Sequence, residues 1–145
     1  MVPLSILWGA GTGCGNDNPP PYNGAAEQTG QACANAAQCF PNVAPGALQG
    51  TAVCLTQVQN GYCTHTCQSD TDCCAVPGEC LTAYPQVCSP YTSTSDKYCF
   101  LSCEDSDVQA AGYTDATLFC HTFANAAFTC KSSGGGSQNR KICMP

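Results

Sequence analysis

Six cysteines fall between Cys63 and Cys88, at positions 63, 67, 73, 74, 80 and 88, with short polar loops between them. Few large apolar side chains share this stretch. It cannot enclose enough hydrocarbon to fold around an oily core, so covalent cross-links have to hold it. The rest of the chain has the same deficit. Leu, Ile, Val and Phe number 21 of 145 residues, a level at which a chain without cross-links stays disordered. The hydrophobic fraction of 43% misleads, because 15 Cys and 18 Ala supply about half of it. Each bridge closing a loop of ten or so residues contributes roughly 2–4 kcal/mol. Six or seven of them outweigh anything the scattered apolar side chains supply.

The expected fold class is therefore small and disulfide-rich. It is mostly loops with short antiparallel β-hairpins and little helix, arranged in two or three stapled lobes. Such bridges do not persist in a reducing cytosol, so an extracellular or outer cell-surface location is expected. Metal-thiolate chemistry is the weaker reading. The histidines are only His65 and His121, and neither paired Cys-x-x-Cys knuckles at zinc-ribbon spacing nor a Cys-x-x-Cys-His haem site occurs. No cofactor and no metal site are expected. The formal charge of −6 leaves four cations, Lys97, Lys131, Arg140 and Lys141, so nucleic acid is excluded as a partner. No Asn-x-Ser/Thr acceptor is present, and the Thr92–Ser95 run is the place where an O-linked sugar would sit.

Five segments follow along the chain. Residues 1–13 contain a compact apolar run, Val2–Ala10, too short to span a bilayer and lacking the basic residues of a complete signal peptide. We read it as an apolar leader or signal-peptide remnant. Small residues then precede Cys14, which resembles a bacterial lipobox with Gly11 in place of the usual Leu. Cys14 is the candidate lipidation site, and a lipid there is the only membrane attachment expected. Residues 14–30 read as a Pro/Gly/Asn tether. If residues 1–13 are retained, Leu4, Ile6, Leu7 and Trp8 are candidate assembly residues that dock into a neighbouring copy to build a fibre.

Residues 31–60 form an N-terminal lobe with Cys33, Cys39 and Cys54; one helical turn is expected within Ala32–Gln38. A strand at Ala52–Thr56 and the Asn60-Gly61 pair before Tyr62-Cys63-Thr64 predict a hairpin. Residues 61–97 form the central lobe with Cys63, Cys67, Cys73, Cys74, Cys80 and Cys88, and Pro90–Asp96 reads as a linker. Residues 98–145 form the last lobe with Cys99, Cys103, Cys120, Cys130 and Cys143. Phe119, Phe123 and Phe128 are its expected core, and a closing hairpin pairs Phe128–Lys131 with Arg140–Cys143 around a Gly-rich loop. The start of this lobe repeats the central one: Tyr98-Cys99-x3-Cys103 followed by Asp105-x-Asp107 matches Tyr62-Cys63-x3-Cys67 followed by Asp70-x-Asp72. Val108 stands near the place of Cys73.

These residues carry a resemblance. Gly61-Tyr62-Cys63, Cys67, Ser69-Asp70-x-Asp72-Cys73, the second Tyr98-Cys99 copy, Gly112-Tyr113 and the terminal Cys143-x-Pro145 resemble the cysteine-rich secreted proteins and lipoproteins common in myxobacteria and related bacteria. The likeness covers about residues 30–145, and the lipobox-like Cys14 and tether fit the same group. It implies location and architecture and brings no catalytic residues with it. The chain departs from the pattern in having no cysteine after Asp107.

The remaining motifs are weighed against structural roles. Neither a nucleophile elbow nor a His-Glu-x-x-His nor a phosphate-binding glycine loop occurs, so no enzyme is expected and no catalytic residue is singled out. His65 is expected as an exposed strand residue and His121 as a packing residue between Phe119 and Phe123. Asp70/Asp72 and Asp105/Asp107 are expected to cap turns, with calcium as the alternative that lacks enough oxygens. Adjacent Cys73 and Cys74 should take different partners. The Cys63–Cys88 spacing also approximates a cystine-knot inhibitor, and six cysteines permit 15 pairings. The expected function is a non-enzymatic, disulfide-stapled structural or adhesive protein of the cell exterior, with a fibre subunit and a knottin-like inhibitor as alternatives.

Overall fold

The computed structural model describes residues 29–80, 82–91, 95–134 and 139–145. The leader, most of the tether, and with them Cys14, Leu4, Ile6, Leu7 and Trp8 lie outside the described residues. So do Thr92–Thr94 of the candidate glycosylated run.

Three two-stranded antiparallel hairpins follow one another: β1 (Ala52–Cys54) with β2 (Cys63–His65), β3 (Gln86–Pro90) with β4 (Lys97–Leu101), and β5 (Thr129–Ser132) with β6 (Lys141–Met144). Single 3-10 turns at Ala36–Gln38 and Asp70–Asp72 precede the first two hairpins. Two short helices, α1 (Asp105–Ala110) and α2 (Ala116–Phe123), precede the third. The architecture is a small disulfide-rich fold of loops and short hairpins with little helix.

In every hairpin a cysteine faces a cysteine across the strands: Cys54 opposite Cys63, Cys88 opposite Cys99, and Cys130 opposite Cys143. Facing cysteines are not joined to each other. Each instead reaches back to the segment before its hairpin. Cys33 bonds Cys54 and Cys39 bonds Cys63; Cys67 bonds Cys88 and Cys73 bonds Cys99; Cys103 bonds Cys130 and Cys120 bonds Cys143. A seventh bridge, Cys74–Cys80, closes a local loop. The chain is thus a serial repeat of one unit, Cys33–Cys63, Cys67–Cys99 and Cys103–Cys143. Each unit is a cysteine-bearing lead segment tied twice to the hairpin that follows it.

The Tyr-Cys-x3-Cys motif marks the seams between these units. Its first cysteine closes one unit and its second opens the next. Thr66 bridges Tyr98 and the Cys67 amide donates to the Lys97 carbonyl at 3.1 Å; at the next seam Ser102 bridges Ile142 and the Cys103 amide donates to Lys141 at 3.0 Å. Divisions at 60/61 and 97/98 accordingly fall inside hairpins. Pro90–Asp96 connects β3 to β4 within one unit instead of linking two lobes. The six cysteines of residues 61–97 do not form a closed set either, because Cys63 and Cys73 bond outside it.

Local chemistry explains the lead segments. In the first, Asn35 accepts from the Ala37 amide and Gln38 Oε1 accepts from Ala34 at 2.6 Å; in the second, Asp72 Oδ2 accepts from Gln68 at 2.7 Å and Ser69 at 3.0 Å. Side-chain oxygens thereby satisfy amides that a single 3-10 turn leaves unpaired. At the hairpin connection, Asn60 and Gly61 both take positive φ, 66° and 72°, as an Asn-Gly signal predicts. The connection is longer than a two-residue turn: the Leu55 amide donates to Tyr62 and the Gly61 amide to Val58. Gly61 is also sterically fixed, since a methyl there would lie 1.9 Å from the Cys33 carbonyl oxygen.

The apolar core runs across the units. Tyr62, Phe100, Phe119 and Ile142 are wholly buried, and Tyr62 contacts both Phe100 and Phe128. Phe123, half-buried, joins Phe119 of α2 with Tyr84 and Tyr113 from the loops before β3 and α2 in one aromatic group. The core expected of the last lobe is present, extended by Phe100 and by tyrosines from the first two units.

A buried histidine–glutamate pair as the candidate functional site

His65 closes β2 and is wholly buried, as is Glu79 in the loop cross-linked by Cys74–Cys80. This corrects the expectation of an exposed His65. All three residues of β2 are buried, so both faces of the strand are covered, and the ring lies beneath a loop whose sequence gives no sign that it folds back. His65 Nε2 lies 2.6 Å from Glu79 Oε1, and Nδ1 lies 2.9 Å from the Thr66 carbonyl. Both ring nitrogens thus face acceptor oxygens.

Glu79 is well supplied with donors. Besides His65, the Cys74 amide donates to Oε1 at 2.6 Å and the Val76 amide to Oε2 at 3.3 Å. Burial alone would raise the carboxyl, but the His65 ring and the two amides outweigh it and hold Glu79 below its ordinary value of 4.5. Cys99 Sγ, part of the Cys73–Cys99 bridge, lies 3.4 Å from His65 Nε2. The Phe40 ring meets His65 edge-on with centroids 5.7 Å apart. Among the described residues, two of the three non-glycine residues with positive φ, Phe40 at 57° and Cys74 at 60°, lie beside this pair. A bulky residue in that region is strained by order 1–3 kcal/mol, which the surrounding contacts offset.

His121, expected to pack between Phe119 and Phe123, is exposed on α2 instead, because the inner face of that helix is filled by Phe119 and Cys120. The four paired aspartates take four different partners. Asp72 caps its turn, while Asp70 accepts from the Cys88 amide and pairs with Arg140 at 3.2 Å. Asp105 pairs with Lys141 at 2.7 Å, and Asp107 accepts from the Ser102 hydroxyl. Sulfurs that approach in threes, such as Cys67, Cys73 and Cys99, are one bridge, here Cys73–Cys99, with one sulfur of a second, Cys67–Cys88. Cys73 and Cys74 diverge to Cys99 and Cys80.

At the first seam a polar groove of about 460 Å³ is lined by Gln49, Gly50, Thr66, Gln68, Asp96 and Lys97. Asp96 and Lys97 are the charged side chains among the described residues that line it. Among the described residues, no helix is long and apolar enough to cross a membrane. These features define the class: a serially repeated, disulfide-stapled fold whose buried titratable pair is turned inward. Compared with known proteins, the chain matches no family model, and no curated protein or solved structure matches it significantly.

Sequence reasoning missed the His65–Glu79 pair. Glu79 is the one acidic residue between Asp72 and Asp96, inside a Cys-x5-Cys loop, and that isolation is the only available signal.

Proposed function

We propose that the chain is a non-enzymatic, disulfide-stapled structural or adhesive protein of the cell exterior, carried as a lipoprotein on Cys14. One observation carries this reading: the seven bridges use fourteen of the fifteen cysteines in one repeated framework, and the cysteine left over is Cys14, three small residues after the apolar run. The bridge density suits an oxidising, non-cytoplasmic compartment. The resemblance to cysteine-rich secreted proteins and lipoproteins of myxobacteria supports the same location. A non-catalytic role is supported by the His65–Glu79 pair, which is buried and satisfied by its own neighbours.

Expression in a lipoprotein-processing bacterial host with labelled palmitate tests this. Label on the wild type that is absent from Cys14→Ser, with the protein open to protease on intact cells, is the expected result. An unlabelled wild type whose intact mass begins at Met1 would overturn the lipoprotein. That second outcome would favour a fibre subunit in which Leu4, Ile6, Leu7 and Trp8 insert into the next copy. The Val2–Ala10 run is the observation behind that reading.

A further inference from the structure

We propose that the Cys74–Cys80 loop is an acid-released latch, held shut over the Cys73–Cys99 bridge by the buried contact between Glu79 and His65. The geometry makes this loop depend on one carboxylate. Glu79 is the common acceptor for the His65 ring, the Cys74 amide and the Val76 amide, so a single side chain ties both arms of the loop to β2. The loop has little apolar anchorage: Val76 is half-buried, and Pro77 and Gly78 are exposed. Gly78 rests against Asn42 of the first unit, where a methyl would lie 3.0 Å from the Asn42 carbonyl oxygen. Beneath the loop lie the His65 ring and Cys99, both wholly buried.

Adding a proton from solvent to Glu79 removes its charge and one lone pair from three donors at once. In the open loop Glu79 titrates at its ordinary 4.5, and in the closed loop it titrates lower. The contribution of Glu79 to the closed form is therefore complete above 4.5 and is lost as pH falls from there through the closed-state value. Besides Glu79, one charged group and two uncharged ones face His65 from the packed elements. From the second 3-10 turn, Asp72 interacts with the ring charge; the β3–β4 hairpin contributes the uncharged Cys99 sulfur, and the first unit the Phe40 ring. Asp72 is itself held low by the Gln68 and Ser69 amides, so it titrates in the same range and needs a control.

Amide exchange of the oxidised, nitrogen-15-labelled protein, followed from about pH 7 to about pH 2, makes the test. Once intrinsic rates are divided out, opening at Cys74 and Val76 is expected to rise by up to about tenfold per pH unit below 4.5, while β5 and β6 amides stay protected. In Glu79→Gln this dependence disappears, although Gln68 and Ser69 still respond through Asp72. Unchanged protection of Cys74 and Val76 down to the lowest pH, or the same dependence in Glu79→Gln, overturns the latch. Because Glu79→Gln risks misfolding, the carbon-13 shift of the wild-type Glu79 carboxyl is followed in parallel. A midpoint below 4.5 that coincides with loop opening supports the latch, and one at or above 4.5 overturns it.

Discussion

The first and third units close the same pair of cross-links by different physical means. In the first, the second cysteine follows a single capped turn, and the unit between Thr29 and Thr66 contains no Asp, Glu, Lys or Arg. In the third, Val108 packs into the core near the place of Cys73, and the second cysteine moves onto α2 as Cys120. That helix starts on Asp115, whose side chain accepts from the Thr117 and Leu118 amides, and it carries Phe119 into the core and Phe123 against it. The third unit also holds three of the four cations, two of them paired to Asp70 and Asp105. Where hydrocarbon is available, a bridge reinforces an existing core. Where less of it is available, as around Phe40, the bridges themselves are packed into the core beside it.

The largest effect is expected from removing that hydrocarbon. Phe119 is wholly buried among Tyr84, Tyr113 and Phe123, so Phe119→Ala should cost about 3–5 kcal/mol in denaturant unfolding under non-reducing conditions. A loss well under 1 kcal/mol would show that the bridges alone hold the third unit. Next come the bridges themselves. Replacing Cys39 and Cys63 together by Ser should cost about 2–5 kcal/mol, and the Cys120 and Cys143 pair should fall at the lower end of that range. Equal or reversed losses, read in the same unfolding experiment, would erase the distinction between the units.

The smallest effect separates the first unit from the second by pH. Asp72 is held below its ordinary 3.8 by the Gln68 and Ser69 amides, so its capping strength is complete above 3.8 and fades as pH falls through its lower folded value. Gln38 does the corresponding work in the first unit and does not titrate. Amide shifts of Gln68 and Ser69 should therefore move with acid while that of Ala34 stays still. Parallel movement of all three would mean that the two caps are not equivalent in the way their hydrogen bonds indicate.

Much of the scaffold was legible because composition and turn chemistry act locally. The cysteine density, the Asn60-Gly61 hairpin and the closing hairpin around residues 132–139 all follow from short-range signals. The Tyr-Cys-x3-Cys repeat was legible too, but its meaning was not. A sequence repeat shows that two stretches are alike, and only strand register reveals that each straddles a seam. The Ser/Asp run after Cys103 reads as a turn like that after Cys67, yet it grows into α1, whose Val108 packs into the core. The Asp115 cap was an available signal for α2 that the cysteine pattern overshadowed. The His65–Glu79 contact spans fourteen positions and depends on a loop folding back, which no local pattern encodes.

The most direct measurement is the disulfide map of the native protein, obtained by proteolysis without reduction at acid pH and mass spectrometry of the linked peptides. The repeat requires Cys33–Cys54 with Cys39–Cys63, Cys67–Cys88 with Cys73–Cys99, and Cys103–Cys130 with Cys120–Cys143, plus the local Cys74–Cys80 bridge. Finding the facing pairs joined across their hairpins, as Cys54–Cys63 or Cys88–Cys99, would contradict it.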